Sequence, residues 1–494
     1  MLKADSTVTA NMNEDSFSSL PDSEKDAWLR ERILEIVGPL GMITEEQDVA
    51  PYVQDARGRY RGETSLVVRP SSTQQVADVV KLCAQTGTPV IPQGGNTGLV
   101  GGGIPLCGKQ NVLLSLQRMD RVLDIDPVGH TITVEAGCIL ANVQEAARTV
   151  GRLFPLSLAS EGSCRIGGNL STNAGGIAVL HYGNTRDLAL GLEVVLPDGR
   201  VWNGLRGLRK DNSGYDLKQL FIGGEGTLGI ITAATLKVFP LPVQIETAFL
   251  GVRDIDHVMQ LYSQARSASG DRLTAFELIP RAGMEFGLKH VPGITDPFDR
   301  TYPFYVLMDI SSSEAGNNLR TLSEQVLTAI LEENLAEDVV LAESIAQAKN
   351  LWAIREGVVE GHKFEGAVVT HDVSVPIARI AEFVRTATAA AEAMHPGIRV
   401  IAFGHVGDGN IHFNFHQPVG EDPGTFIARA PEFNETVYDI AVGLGGSISA
   451  EHGIGYVKKS HLKKYRTDIE IELMRRIKRA IDEKNIMNPG KIFD

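Results

Sequence analysis

Three histidines and a glutamate lie close together in the last fifth of the 494-residue sequence. His405 and His412 flank a Gly-Asp-Gly-Asn turn, and Glu451 is followed directly by His452. If the turn closes a hairpin, it brings His405 and His412 together across its mouth. Two imidazoles and one carboxylate suit a zinc ion that keeps one position open for substrate. The alternative is that these histidines are ordinary turn and surface groups, and spacing alone leaves both interpretations open.

Three glycine-dense segments form a second group, all in the first half of the chain. They are 92–102 (PQGGNTGLVGG), 163–176 (SCRIGGNLSTNAGG) and 223–229 (GGEGTLG). Backbone N–H groups of such loops can converge on one anion, and the amide and hydroxyl groups beside them suit a large, flat ligand with polar edges. For the first segment taken alone, the alternative is a flexible surface loop.

Two segments match the spacing of nucleotide-binding motifs but lack features that those motifs require. Segment 103–110 has the spacing of a Walker loop, but Gln110 replaces the hydroxyl residue that would hold magnesium. Segment 224–229 fits G-x-G-x-x-G, yet the β-branched residues after it predict a strand where a Rossmann site needs a helix.

Composition excludes several classes of protein. The formal net charge of −14 argues against a nucleic-acid partner, which requires a basic face. No run of about 20 apolar residues predicts a membrane span. The N-terminal residues lack the apolar region of a signal peptide, so 1–22 is predicted to be a disordered tail. The cysteines at positions 83, 107, 138 and 164 include no C-x-x-C pair, which argues against an iron–sulfur cluster and for reduced thiols in a cytoplasmic protein.

Hydrophobic periodicity predicts the elements that position these residues. Helices are expected over 22–38, 73–86 (capped by Thr73), 139–150, 254–268, 317–333, 345–356, 376–394 and near 468–484. Strands are expected over 89–91, 111–116, 131–136, 230–239, 245–252, 303–310 and 399–403, with a hairpin over 192–201 that turns at 197–199. A further strand ends at His416, so His412, Asn414 and His416 share one face. The two prolines in 239–242 mark a domain boundary.

The glycine-dense segments closely resemble the FAD-binding half of the vanillyl-alcohol oxidase/p-cresol methylhydroxylase flavoproteins, as does LRKDNSGYDLKQLFIGGEGTLGIIT. Over roughly 45–494 the chain is most similar to the branch of D-2-hydroxyglutarate dehydrogenases and related D-lactate dehydrogenases. The resemblance implies an α+β fold in three parts. They are a two-subdomain FAD-binding domain over 23–240, a substrate domain with an antiparallel sheet over 241–420, and a mainly helical segment over 421–494 that completes the active site.

The resemblance also assigns the cofactor site. Residues expected to hold the FAD pyrophosphate are Gly94, Gly95, Asn96, Thr97 and Gly98. Residues expected to line the isoalloxazine and ribityl chain are Ser163, Gly168, Asn169, Thr172, Asn173 and Gly175, while Ile231 approaches the adenine. Further contacts are expected from Pro92, Leu99, Glu225, Gly226 and Asn488. Asn96 occupies the position of the histidine that tethers FAD in some members, so the FAD is predicted to be non-covalent.

The motifs H-x-G-D-G-N-x-H and E-H-G-x-G carry the resemblance into the second half. By resemblance, His405, His412 and Glu451 bind a divalent metal, for which zinc is expected. His452 is the catalytic base and also contacts substrate, as does Asn414.

Substrate choice is expected to depend on Arg355 and on two departures from the family pattern. By resemblance Arg355 grips the substrate carboxylate, whereas its alternative is a solvated partner of Glu356. The glutarate enzymes tend to have a threonine and a lysine where this sequence has Val359 and Thr370. Thr370 is thus a predicted substrate-binding residue, but it carries no charge to bind a distal carboxylate. A cation for that carboxylate is then missing unless Lys363 or Arg399 provides it.

These features predict FAD-dependent oxidation of a D-2-hydroxyacid of the D-2-hydroxyglutarate, D-lactate or D-malate type. The metal is expected to polarise the hydroxyl, His452 to take its proton, and flavin N5 to take the hydride. Electrons would pass to an external acceptor such as an electron-transfer flavoprotein or a quinone, and a homodimer is expected. Two alternatives stay open. One is an oxygen-using oxidase, and the other is a flavin-binding electron-transfer subunit, which would not need the predicted metal ligands.

Overall fold

The computed structural model describes residues 19–316 and 318–493. Most of the predicted tail, 1–18, lies outside this part, and the first helix begins at Asp22. The helices are Asp22–Val37, Glu46–Val53, Thr73–Thr86, Leu140–Thr149, Ile166–Thr172, Val179–Tyr182, Thr185–Leu188, Lys218–Phe221, Ile255–Ala268, Arg281–His290, Leu319–Glu332, Ile345–Gly361, Ile380–Met394, Pro423–Ala428, Ala430–Gly443, Lys459–Tyr465 and Asp468–Ile481. Short 3₁₀ turns cover Pro39–Gly41, His362–Phe364, Ile377–Arg379 and Val406–Asp408.

The strands, numbered in chain order, form sheets that divide between the two halves of the chain. They are β1 (Met42–Ile43), β2 (Leu66–Val68), β3 (Val90–Gln93), β4 (Val112–Ser115), β5 (Val122–Asp126), β6 (Thr131–Glu135), β7 (Arg152–Leu153), β8 (Ala189–Val195), β9 (Val201–Gly204), β10 (Ile230–Lys237), β11 (Phe239–Pro240), β12 (Gln244–Val252), β13 (Leu273–Pro280), β14 (Phe304–Ser312), β15 (Asp338–Leu341), β16 (Val368–Ser374), β17 (Arg399–His405) and β18 (Asn410–His416).

The first half holds a four-stranded sheet of order β1-β2-β4-β3 and a five-stranded sheet of order β5-β6-β10-β8-β9, besides the pair β11-β7. One continuous core joins them, and Ile486 and Met487 of the C-terminal end belong to it. The chain end therefore packs into the first half rather than onto the second.

The second half is built on a seven-stranded antiparallel sheet of order β15-β12-β14-β13-β17-β18-β16. Helices cover both of its faces. The larger core lies under Ile255–Ala268, Leu319–Glu332 and Ile380–Met394, and the smaller core lies under Arg281–His290 and Ile345–Gly361. Because side chains alternate along a strand, β12, β13, β14, β15 and β17 divide their apolar residues between the two cores. The apolar residues of β16 and β18 pack only into the larger core, and the opposite face of these two strands carries polar residues such as His412 and Asn414.

Every helix and strand predicted from periodicity is present close to its predicted bounds. The capping residue of Thr73–Thr86 is a correction: Ser72, not Thr73, accepts the N–H of Gln75 at 3.3 Å. Periodicity missed β13 and β16, which proved to carry polar residues of the site. The described residues contain no helix long and apolar enough to cross a bilayer.

Candidate active site

A cleft lies where the three glycine-dense segments meet. Gly95 packs so closely on segment 163–176 that a Cβ atom there would stand 2.2 Å from the carbonyl oxygen of Ser163. Gly226 has a φ of +71°, and a Cβ there would stand 2.5 Å from Pro92. Glycine is thus required at both positions for the segments to form one wall.

Three features of the cleft fit FAD. The backbone N–H groups of 95–98 donate to no protein acceptor in the described chain, as an anion-binding loop requires. A Cβ on Gly168 would meet open space, and one on Gly94 would lie 3.5 Å from Gly168, so bare backbone faces a flat ligand. Asn169 is 5% exposed, and its Oδ1 has no hydrogen-bond partner. An unpartnered acceptor of this kind needs a donor from a ligand.

The predicted cofactor residues separate into two groups by position. Those in the cleft wall are Pro92, Gly94, Gly95, Asn96, Thr97, Gly98, Gly168, Asn169, Thr172, Glu225, Gly226 and Ile231. Those outside its lining are Leu99, Ser163, Asn173, Gly175 and Asn488. Asn173 ends a helix and accepts the N–H of Arg186 at 2.9 Å, whereas Gly175 lies against Glu451.

Glu225 joins the cleft to the C-terminal segment. Its two carboxylate oxygens accept the N–H groups of Ile454 and Gly455 at 2.8 and 2.7 Å, and the Asn488 amide donates to its carbonyl at 2.8 Å. These bonds hold the segment with Glu451 and His452 against the cofactor cleft. Glu225 and Asn488 therefore shape the site through contacts within the protein, in addition to any contact with FAD.

The predicted hairpin is present as β17 and β18, with Phe403 paired to His412. His405 lies beyond this pair on the same face, and the centroids of the His405 and His412 rings are 5.6 Å apart. The donor atoms of His405, His412 and Glu451 all lie within 4.8 Å of one another. Oε1 of Glu451 is buried without a hydrogen-bond partner. Two imidazoles and an unpartnered carboxylate oxygen fit a divalent metal.

Glu277, which the sequence did not identify, connects this cluster to Arg355. Its side chain is fully buried, and its two oxygens accept from Nδ1 of His405 at 2.6 Å and from Nε of Arg355 at 2.8 Å. Burial would raise the pKa of Glu277, but His405 and Arg355 hold it at about 2. The same contact raises the pKa of His405 against the effect of its burial. A carboxylate on one ring nitrogen leaves the other free for a metal.

Asp372 is a second buried carboxylate, on β16. Its oxygens accept the N–H groups of Glu451 and His452 at 2.9 and 3.0 Å and the side-chain amide of Asn410 at 2.9 Å. Nδ1 of His452 lies 3.4 Å away. Burial would raise the pKa of Asp372, but the neighbouring charges and hydrogen bonds hold it well below its ordinary value. Asp372 thus fixes the backbone of His452 and lies beside its ring.

His452 is the residue that the cleft and the cluster share. It lies in the wall of the cleft. Its ring is stacked parallel to His412 with centroids 6.4 Å apart. Burial lowers the pKa of His452 against the opposing charge of Asp372, which favours the neutral ring. A neutral imidazole at this position can accept a proton.

Arg355 lies on the helix over the same sheet face, and the structure overturns the alternative of a solvated partner for Glu356. The residue is 7% exposed, and its guanidinium lies 4.8 Å from the centre of the Phe403 ring. Glu277 engages only Nε. The terminal nitrogens thus remain available for a bidentate contact with a carboxylate.

Asn414 and Thr370 face each other across β18 and β16. Oδ1 of Asn414 is buried without a hydrogen-bond partner. Thr370 is half-buried and accepts a long hydrogen bond of 3.5 Å from Arg57. His412, Asn414 and His416 share one strand face, as the sequence predicted, and Thr370 and Asp372 extend that face across β16.

Sequence reasoning missed Glu277 as a functional residue because β13 was not predicted. The one available signal was a charged residue inside the apolar run LTAFELIP. Asp372 was visible only as a neighbour of Thr370, and the hydrogen bonds that define its role come from segments about 40 and 80 positions away.

Comparison with known proteins gives consistent matches over nearly the whole chain. Residues 64–204 match the model of an FAD binding domain, and 241–492 match that of the C-terminal domain of FAD linked oxidases. D-2-hydroxyglutarate dehydrogenase, mitochondrial, of Bos taurus is 39% identical, covering 95% of this chain and 84% of its own. D-2-hydroxyglutarate dehydrogenase of Xanthomonas citri is 37% identical, covering 93% of this chain and 95% of its own.

A solved structure shows the same fold. p-Cresol methylhydroxylase superposes with a TM-score of 0.76 over 97% of this chain and 98% of its own, at 16% identity. The predicted α+β fold is thereby confirmed.

Proposed function

Since the chain belongs to the vanillyl-alcohol oxidase/p-cresol methylhydroxylase family of FAD-linked enzymes, we propose that it oxidises a D-2-hydroxyacid of the D-2-hydroxyglutarate type to the 2-oxoacid. The observation that carries the proposal is the position of His452. It lies in the wall of the cleft that fits FAD and beside the cluster of His405, His412 and Glu451. This position supports a role for His452 as the proton acceptor, between a site for the oxidant and a site for the substrate hydroxyl.

When bound, FAD would supply a hydride acceptor at N5, and a divalent metal on His405, His412 and Glu451 would supply a Lewis acid. His452 accepts the proton of the substrate hydroxyl. The carboxylate of Asp372 lies 3.4 Å from Nδ1 of His452, which places it to stabilise the imidazolium that forms.

Arg355 and Asn414 bind the carboxylate next to the reacting carbon. The terminal nitrogens of Arg355 donate to it, and the Asn414 amide lies on the adjacent part of the same sheet face. Glu277 holds Arg355 and His405 with its two oxygens, so the carboxylate anchor and one metal ligand are fixed by a single residue. This rigid spacing positions the substrate for transfer.

We also propose an electron acceptor, an oligomeric state and a location for the protein. The first is transfer of electrons from the flavin to an external acceptor such as an electron-transfer flavoprotein or a quinone. The second is assembly as a homodimer, which light scattering on the purified protein tests. The third is a cytoplasmic location, which localisation of the tagged full chain tests.

Anaerobic mixing of the purified holoprotein with D- and L-2-hydroxyacids tests the proposed function. D-2-hydroxyglutarate should bleach the flavin absorbance, and its L enantiomer should not. Oxygen consumption without added acceptor would identify an oxidase instead. If dithionite bleaches the flavin and no hydroxyacid does, the chain acts as an electron-transfer subunit and the proposal is wrong.

A further inference from the structure

A dicarboxylic substrate has a second carboxylate, and the two alternative cations that the sequence offered for it, Lys363 and Arg399, are already paired. Nζ of Lys363 donates to Glu360 at 2.7 and 2.8 Å on the surface. Arg399 donates to the Glu365 carboxylate at 2.6 Å. Thr370 carries no charge. A cation for the distal carboxylate must therefore come from elsewhere in the chain.

Arg57 is brought to this place by a loop of the first half. Buried Asp55 closes the loop by accepting the N–H of Tyr60 at 2.7 Å, and a bridge joins Gln54 to Arg61. The Tyr60 ring contacts Tyr456 with centroids 6.3 Å apart, next to the segment that carries His452. These contacts fix the base of the loop, and Arg57 near its tip lies at the edge of the second-half sheet.

Arg57 is an exposed residue, and the nearby carboxylate of Asp55 offsets its charge only in part, since burial and the charge of Arg59 still lower the pKa of Arg57. Its Nη1 donates to Oγ1 of Thr370 at 3.5 Å, and it makes no ion pair with a carboxylate of the described chain. Among the neighbouring charges, that of Arg57 contributes most to the lowered pKa of His362, after burial itself. The contact with Thr370 and this effect on His362 place Arg57 at the rim of the substrate side of the site.

The spacing on the sheet face suits a five-carbon diacid. Thr370 and Asn414 lie one two-residue step, about 7 Å, from Asp372 and His412 along paired strands. Three carbon–carbon bonds separate C2 of 2-hydroxyglutarate from its distal carboxyl carbon, an extended reach of about 4 Å. A substrate chain of this length extends from the His412 end of the face toward the Thr370 end, where the Arg57 guanidinium lies.

We propose that Arg57 binds the distal carboxylate of a dicarboxylic D-2-hydroxyacid, an inference that rests on the proposed function. Arg57 lies on the first half of the chain, whereas Arg355 and Asn414 lie on the second. The substrate diacid therefore bridges the two halves, and selectivity for a diacid depends on their contact.

The test compares D-2-hydroxyglutarate with D-2-hydroxypentanoate, which has a methyl group in place of the distal carboxylate. Arg57→Met should lower kcat/KM for the diacid about 10- to 100-fold more than for the monoacid, as expected for a lost hydrogen bond between charged groups. Arg57→Lys should recover part of this selectivity. Thr370→Lys in the Arg57→Met background should recover it as well, because lysine restores a cation beside the same position.

Arg59→Met is the matched control, since Arg59 belongs to the same loop, also acts on the pKa of His452 and does not contact Thr370. It should leave the diacid-to-monoacid ratio unchanged. Binding of 2-oxoglutarate and 2-oxopentanoate to the oxidised holoprotein, followed by the flavin absorbance, gives a readout independent of turnover. Arg57→Met should weaken only the diacid.

An unchanged ratio in Arg57→Met, with normal flavin content and thermal stability, would overturn the assignment of Arg57 while the proposed function stands. An equal loss for both acids would overturn it too. If no D-2-hydroxyacid bleaches the wild-type flavin, the proposed function is wrong, and the two oxoacid dissociation constants then decide the role of Arg57 by themselves.

Discussion

Glu277→Gln is the most informative substitution, because this buried residue holds both a predicted metal ligand and the predicted carboxylate anchor. Glutamate accepts two hydrogen bonds here, from His405 and Arg355. Glutamine has one acceptor oxygen and an NH₂ group that only donates. It can keep one bond, and its NH₂ group must then face the other donor.

The expected losses follow from this geometry. Removing one partner of a buried ion pair costs about 3–5 kcal/mol, because the remaining charge stays buried and unpaired. The free energy of unfolding should therefore fall by that amount. Losing the second partner of a metal-bound histidine lowers metal affinity or activity about 10- to 100-fold. Flavin content should not change, since Glu277 does not line the FAD cleft.

Urea unfolding, metal analysis and the anaerobic rate of flavin reduction measure these losses. Asp309→Asn is the matched control, because Asp309 is a half-buried carboxylate of the adjacent strand β14 that accepts hydrogen bonds from Thr247 and Trp352. Burial raises the pKa of Asp309 to about 6, so removal of its charge should have little effect. If Glu277→Gln keeps wild-type metal content and flavin reduction, Glu277 does not organise the site.

Four further outcomes are expected. Acid precipitation should leave all FAD in the supernatant, because Asn96 cannot form a histidyl link; flavin in the pellet would contradict this. His412→Ala should leave a yellow protein that dithionite bleaches and substrate reduces at least about 100-fold more slowly, whereas His452→Ala should lose reduction but keep its metal by elemental analysis. Gly95→Ala should lower FAD occupancy, measured by absorbance, since its Cβ has no room. In metal-free protein, the stability difference between wild type and Glu277→Gln should peak near pH 5–6 in urea unfolding. Because the pKa of Glu277 is lowered, its contribution to the free energy of unfolding is lost as pH falls from the ordinary 4.5 toward about 2. Because the pKa of His405 is raised, its contribution is lost as pH rises from the ordinary 6.5 through about 9.

Local features of the sequence predicted the helices and strands and identified the glycine-dense segments that form the cleft. Periods of 3.6 and 2 depend only on near neighbours, so helices such as Thr73–Thr86 and the face shared by His412, Asn414 and His416 were predictable. The glycine-dense segments could also be recognised, because a position without room for a side chain, such as Gly95, requires glycine, and the sequence shows that residue type directly.

Only the tertiary structure determined which charged and polar side chains contact one another. Glu277, on a strand too uniformly apolar to show a periodic signal, reaches His405 from a position 128 residues away. Arg57 reaches Thr370 across 313 residues. Such contacts depend on strand order and on the packing of the two halves of the chain, which no local pattern encodes. The sequence therefore determined the chemical groups of the site, and the fold determined which of them share a hydrogen bond, an ion pair or a substrate.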